Sequence, residues 1–474
     1  MSTTTATIEK QGGTLWPLNL SALCLVAVCL SAAVREFGAS PWATPLAGIS
    51  MLLFVALQWR HIYRTFQFFV LLAIGLAITL WLNHKVTWPE LAAAIDRSAF
   101  FTFFLTSLAV LREAAGSSPL VRRCGAIMVN QPPGRRYLLM AFGSHLFSVM
   151  LNVGALNVLG TMVKRAIHYG DTEEQRRIAG IRSRRMLTAV LRGFSGIPLW
   201  SPTSVTMLLV LSAIPSLQWE HYAPFGLLLA AVFILWGAVL DRISYPQRAI
   251  SPGANHRLLY LLPLVLLVAL IPSSAIVVSM LTGLQMFSAL LMCVPFIGIT
   301  WIAFQYKRSN AHLTGALVVR RVCRSFPITF TNQRNEVALF ASSGFIGVIL
   351  IPLIDPQWIN HWLEQANIGN AWLMILVSMT ILISSLLAIN PIITVTLFLG
   401  VLQQLPDMSI PPTVQIIVIS LTWAVFAGLS PFTAALRFIA SFSSVSPAVF
   451  GIVWNGVFNL TVLFALYAAL LIFL

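Results

Sequence analysis

Apolar runs of about twenty residues, the length a helix needs to cross a bilayer, recur along this 474-residue chain almost without a polar interval. They begin around Leu15, Pro45, Thr65, Ser98, Met186, Tyr222, Leu258, Met286, Glu336, Ala371, Pro411 and Gly451. That pattern predicts about ten to thirteen membrane segments. Hydrophobic residues make up 58% of the chain and charged residues 9%, with a mean hydropathy of +0.86. No water-soluble fold of this size carries such a balance. The fold class expected is an all-α polytopic membrane protein. Residues 1–13 are polar and lack the basic region and small-residue cleavage site of a signal peptide, so the first helix is expected to stay as an anchor.

The formal net charge is +15, and its distribution decides what it means. Basic residues bunch in short loops: Arg60 and Arg64; Arg122, Arg123, Arg135 and Arg136; Lys164 through Arg185; Lys307 through Arg324. Such loops stay in the cytoplasm of an inner membrane. The charge therefore reports topology and a lipid bilayer partner, and no nucleic acid is expected. The five cysteines, Cys24, Cys29, Cys124, Cys293 and Cys323, have no CxxC spacing, which implies neither a disulfide framework nor a metal site.

Flanking charge also picks out two unusual segments. Residues 137–163 lie between Arg135–Arg136 and Lys164–Arg165, so both ends face the cytoplasm. The stretch is too short for two full crossings and predicts a re-entrant hairpin turning near Asn152. Residues 371–405 have the opposite surroundings: Asp355 and Glu364 precede them, Asp407 follows, and no Lys or Arg lies between Arg334 and Arg437. A second hairpin would enter from outside and turn near Asn390.

The two turns stand at matching places in two halves. The offset from Asn152 to Asn390 is 390 − 152 = 238, that from Phe194 to Phe426 is 426 − 194 = 232, and that from Asp96 to Glu336 is 336 − 96 = 240. After each hairpin comes a helix interrupted by Gly, Ser and Pro, at 186–212 and 411–445. Equal order with opposite flanking charge is the mark of two inverted-topology repeats, whose discontinuous helices point to a transporter's binding site. The expected division is a scaffold at 1–90, a first repeat at 91–245, connecting scaffold helices at 246–334 and a second repeat at 335–474.

Irregular backbone inside hydrocarbon requires protein or a wet cavity to satisfy it, and Pro391 cannot donate a backbone hydrogen bond. The turns should therefore line a polar pocket. Its candidate residues are Asn152 and Asn157 on the first hairpin, Asn390 and Thr394 on the second, Ser201 and Thr203 in the first break, and Ser430 and Thr433 in the second. Amides and hydroxyls offer donors and acceptors, half-helix N-termini favour an anion, and unwound carbonyls are expected to remain free for a coupling cation. Charges within apolar runs face a cavity or a partner. Arg437 is the candidate counter-charge for an anion, and His145, Asp96 and Glu336 are the candidates for proton coupling. Arg192 is expected to be a topology anchor at the cytoplasmic end of the first broken helix.

This order of parts resembles the ion transporter superfamily, especially its divalent anion/sodium symporter branch, over roughly residues 90–474. The matching positions are Asn152 and Asn390, Ser201, Pro202 and Thr203 in the first break, and Ser430, Pro431 and Thr433 in the second. Residues flanking the asparagines are Leu151, Val153, Ile389 and Pro391, where the family carries Ser and Thr. The resemblance implies Asn-centred turns that contact a substrate carboxylate and help hold sodium, and an elevator-like shift of one domain. It also implies a homodimer built on the other domain.

The function expected is secondary active transport of a small organic or inorganic anion across the inner membrane, coupled to H+ or Na+ and needing no other cofactor. A multi-span enzyme or assembly component of envelope lipid or polysaccharide metabolism is the alternative. No HExxH, nucleophile elbow, P-loop or paired-carboxylate motif is present, so no catalytic residue is assigned. Topology tests the scheme: single cysteines beside Arg136 and Lys164 should react with an impermeant thiol reagent only from the cytoplasm, and those beside Asn370 and Asp407 only from outside. Labelling of both pairs from one side would remove the inverted repeat.

Overall fold

The computed structural model describes residues 16–38, 40–167, 170–245, 258–308, 311–405 and 410–474. The polar segment 1–13 and Asp407 lie outside them. The chain is helical, with no strand among the described residues, and ten stretches of these residues are long and apolar enough to cross a membrane. It is a polytopic membrane protein.

In chain order the helices are α1 (Trp16–Phe37), α2 (Ala43–Gln58), α3 (Arg64–Leu82), α4 (Trp88–Gly116), α5 (Pro119–Val129), α6 (Pro133–Leu151) and α7 (Val153–Ala166). Next come α8 (Glu173–Ser195), α9 (Val205–Ala213), α10 (Trp219–Ser244), α11 (Leu262–Thr282), α12 (Met286–Lys307), α13 (Thr314–Asn332) and α14 (Arg334–Ile349). The last are α15 (Pro356–Gln365), α16 (Asn370–Leu386), α17 (Pro391–Leu402), α18 (Pro412–Leu429), α19 (Ala434–Ala440) and α20 (Gly456–Phe473). Local chemistry marks many of these ends. Thr172 and Gln175 form a capping box at the start of α8, and Gly283 closes α11 in the left-handed conformation at φ +71°. The segment ahead of the second hairpin contains a helix of its own, α15, bent by 115° from α16. Trp358 and Trp362 are exposed on it, which suits a helix lying at the headgroup level.

The chain forms two compact units, residues 1–110 with 295–352 and residues 111–294 with 353–474. The first joins α1 to α2 and α13, and α3 to α14. Asp96 on α4 bonds there with Arg35 at 3.0 Å and Thr44 at 2.6 Å, and Ser98 donates to the Ala341 carbonyl of α14 at 2.8 Å. The second unit holds both hairpins and both broken helices. α6 packs on α7 and α8, and α16 packs on α17 and α18. The second halves are exchanged: α9 packs against α17 and α19 against α7.

This partition differs from the expected domains at three places. Residues 91–110 and 335–352, the opening helices of the two repeats, belong to the first unit because their polar and small faces pair with α1, α2 and α3 rather than with the hairpins. Residues 258–294 belong to the second unit, where α11 packs on α5 and α6. The two cuts in the repeats are themselves equivalent, since 352 − 110 = 242, close to the repeat offset.

Where α6 meets α8 the backbones nearly touch. A Cβ on Gly193 would collide with the Ala141 carbonyl and lie 3.0 Å from the Ser144 Cβ, while Ser144 Oγ donates to the Val190 carbonyl at 2.7 Å. Gly193→Ala should therefore destabilise by about 1–3 kcal/mol through overpacking, read as a lower melting temperature in detergent. Gly180→Ala, on the same helix with nothing within 4 Å of the added carbon, should leave the melting temperature unchanged or raise it. Equal behaviour of the two would refute the close contact.

Candidate functional site

The hairpin tips differ in detail but share one device. Asn152 turns the first hairpin with φ +50° and ψ −131°, and its Oδ1 accepts from the Val153 N–H at 2.8 Å. In the second hairpin the left-handed residue is Ala388, at φ +62°. Asn390 follows as the N-cap of α17, its Oδ1 accepting from Ile392 N–H at 3.1 Å, with Pro391 at the first helical position. The Asn-Pro pair thus starts a half-helix: the cap serves an orphan donor, and proline has none to lose.

Each break leaves carbonyls without their helical partners, and donors reach six of them. In the first, Gly193 O faces His145 Nδ1 at 3.0 Å. Leu199 O accepts from Tyr222 OH at 2.8 Å and Trp200 O from Trp219 Nε1 at 2.8 Å. In the second, Ala427 O accepts from Thr433 Oγ1 at 3.2 Å, Ser430 O from the Thr433 N–H at 3.2 Å, and Gly428 O from Asn455 Nδ2 at 3.0 Å. The expectation that unwound carbonyls stay free for a cation is not met at these six positions.

A hydroxyl ties each break to its own hairpin. Thr203 Oγ1 donates to Val149 O at 2.7 Å, three residues before Asn152, and Ser430 Oγ donates to Ser385 O at 2.8 Å, five before Asn390. The restarting half-helices are capped by Ser204 on the Met207 N–H at 3.2 Å and by Thr433 on the Leu436 N–H at 3.4 Å.

The broken helices α8 and α18 pack against each other, and polar groups gather beside the glycine of α18. A Cβ on Gly428 would stand 2.8 Å from Asn455 Nδ2, 3.3 Å from Ser195 Oγ and 3.6 Å from Asn459 Oδ1. Asn459 and Ser195 are buried, and among the described residues neither the Asn459 amide nor the Ser195 hydroxyl has a hydrogen-bond partner. One turn before Ser195 lies Arg192, only 7% exposed. Its Nε donates to Asn455 Oδ1 at 2.7 Å, and its Nη1 donates to Tyr137 OH at 2.9 Å and Gly237 O at 3.2 Å. The guanidinium also lies 4.5 Å from the Phe458 ring centre, a cation–π contact. No carboxylate pairs with it among the described residues. Arg192 is therefore a buried, uncompensated cation that joins α8 to α6, α10 and the start of α20, rather than an anchor at a helix end.

The predicted residues fall into three groups. Asn152, Asn390, Ser201, Thr203, Ser430 and Thr433 occupy the tips and breaks of the second unit. Thr394 lies one turn into α17, 3.3 Å from Ser384 Oγ, and Asn157 is exposed on α7, 3.5 Å from Thr161 Oγ1. Arg437 is exposed on α19. Asp96 and Glu336 belong to the first unit, with Asp96 held by Arg35 and Thr44 and Glu336 in the first turn of α14. His145 is buried with both ring nitrogens engaged, since Nε2 receives Trp200 Nε1–H at 2.7 Å. An indole N–H only donates and a carbonyl only accepts, so the imidazole is held neutral with its proton on Nδ1. That arrangement fits a strut between α6 and α8 rather than a proton carrier.

Sequence reasoning missed Asn455, Asn459 and Ser204. A signal existed for Ser204: the breaks read Ser201-Pro202-Thr203-Ser204 and Ser430-Pro431-Phe432-Thr433, with 430 − 201 = 229 and 433 − 204 = 229.

No protein-family model and no curated protein sequence matches the chain. Among solved structures it is similar to the Alcanivorax borkumensis YdaH transporter, described as having an unusual topology, with 15% identity and a TM-score of 0.46 over 78% of this chain and 83% of that one. It is also similar to Neisseria gonorrhoeae MtrF, described as illuminating a class of antimetabolite efflux pumps, with 14% identity and a TM-score of 0.45 over 77% of this chain and 80% of that one. Likeness at this level leaves substrate and coupling to be argued from the site itself.

Replacing Asn455 by leucine would strand both Arg192 Nε and the Gly428 carbonyl. The expected cost is about 3 kcal/mol or more, because one of the stranded groups is charged. A thermal melt of Asn455→Leu that overlays the parent would show that the amide does not hold the arginine.

Proposed function

We propose that the protein is a secondary active transporter that moves a small organic or inorganic anion across the inner membrane by alternating access, driven by an H+ or Na+ gradient. One observation carries this reading. The broken helices of two hairpin-and-break assemblies on the same plan meet in one unit, beside a buried cation and polar groups that have no partner among the described residues. Buried polar atoms in native proteins are nearly all satisfied, and an intramembrane charge faces a cavity or a partner. An anion would supply what Arg192, Ser195 and Asn459 lack. Arg437 supplies a second positive charge on the half-helix α19, where an arriving anion can meet it from water.

The hydroxyl ties give the alternating step a physical form. Because Thr203 binds the first hairpin and Ser430 the second, each tip moves together with its own break. Exchange of the second halves, α9 onto α17 and α19 onto α7, then couples the two repeats. The enzymatic alternative gains no support from the geometry.

Asn152→Ala and Asn390→Ala should each abolish movement of labelled anion in proteoliposomes, tested with carboxylates and phosphate. Each variant loses a cap worth about 1 kcal/mol, so folding is checked by melting temperature. Asn390→Ser separates the roles, because serine keeps the cap acceptor while removing the amide. Full transport by all three variants would end the assignment, and a solute recovered chemically altered would favour an enzyme. Arg437→Gln should raise the substrate Kd by about tenfold, the loss of one charge-assisted hydrogen bond.

A further inference from the structure

A second basic site lies apart from the tips and breaks. A cavity of about 480 Å³ opens among Arg135, Tyr137, Arg185, Asp241, Arg242 and Tyr245, at the end of α6, α8 and α10 that the basic loops assign to the cytoplasm. Its size falls in the range of small-molecule pockets, about 300–1,000 Å³.

The charge balance of its wall is lopsided. Three arginines line it with a single acid, Asp241. Asp241 is buried and fully committed, taking Arg185 Nε at 3.0 Å and Nη2 at 2.7 Å in a two-pronged pair. Arg185 also lies 5.3 Å from the Tyr245 ring centre, so it is fixed in place. Arg135 and Arg242 are exposed, and neither forms an ion pair or side-chain hydrogen bond among the described residues. Two more arginines stand behind. Arg136 is half-buried and donates to Gln131 O at 2.8 Å, and Arg182 carries a buried Nε without a partner. A topology signal alone needs exposed charge in a loop. It does not need three guanidinium groups, those of Arg135, Arg185 and Arg242, gathered round a formed cavity.

We propose that this cavity binds a phosphate-bearing anion at the cytoplasmic face. Guanidinium forks match phosphate oxygens in pairs. A tetrahedral phosphate offers oxygens in several directions, so the separate arginines of α6 and α10 can each take a different edge, whereas a carboxylate presents only two oxygens in one plane. The exposed pair Arg135 and Arg242 contacts the anion, the Arg185–Asp241 pair fixes the floor, and Tyr245 gives an apolar wall for whatever carries the phosphate. The bearer is an anionic phospholipid headgroup or a soluble phosphate ester.

The test uses the full-length protein in phosphatidylcholine nanodiscs and reads its melting temperature in two arms. One arm replaces phosphatidylcholine by phosphatidylglycerol in steps, and the other adds glycerol 3-phosphate to pure phosphatidylcholine discs. A saturable rise in either arm is expected and identifies the source. The double variant Arg135→Gln/Arg242→Gln should shift the midpoint of that rise by about tenfold or more. Arg320→Gln/Arg324→Gln, which removes the same charge from the first unit, should leave it in place. The proposal is overturned if neither arm saturates, or if the two double variants shift the midpoint equally. Because no transported anion is needed, failure here leaves the transport reading untouched, and the reverse also holds.

Discussion

Every backbone carbonyl and amide within hydrocarbon has to find a partner in the protein or in trapped water. The two broken helices are possible only because donors reach the carbonyls that the breaks release. The repeats meet this demand with different residues. Around the first break the donors are large aromatic and imidazole groups, Tyr222, Trp219 and His145, brought by α10 and α6. Around the second they are small: Thr433 from within the break and Asn455 from the start of α20. The backbone plan repeats, and the side chains that make it tolerable do not.

That difference places the polar cluster. Asn455 serves the second break with its Nδ2 and grips Arg192 of the first broken helix with its Oδ1. One amide therefore fixes α18 relative to α8. A neutral His145 on the opposite flank of α8 completes the clamp, bonded to Gly193 and Trp200. The arginine cannot leave without stranding both Asn455 and Tyr137, and a buried charge held without a counter-ion sets a positive potential in low dielectric.

The parts of this arrangement that were legible in the sequence are those written in local chemistry. Flanking charge around 137–163 and 371–405, the Asn-Pro step at 390–391 and the Ser-Pro breaks each leave a mark on a short stretch of chain. What was not legible depends on contacts between distant segments. Arg192 reads as a helix-end arginine until α20 brings Asn455 and Phe458 against it. Asp96 reads as the opening charge of a repeat until Arg35 and Thr44 claim it for the other unit. His145 looked titratable because a sequence cannot say that an indole N–H and a carbonyl occupy both ring nitrogens. Asn455 and Asn459 fall in an apolar run with no neighbouring motif, so nothing local distinguished them.

The chain passes between the two units at three points, 110–111, 294–295 and 352–353. The three are unequal. At 110–111 the chain lies inside the unbroken helix α4, where bending would break ladder hydrogen bonds. At 294–295 it lies inside α12, but Pro295 removes one of those bonds and clashes with the preceding turn, so bending there is less costly. At 352–353 the chain has left α14 and runs through the short 3-10 turn Ile351–Leu353 before α15. The first and third points are equivalent in the two repeats, yet one is stiff and the other jointed.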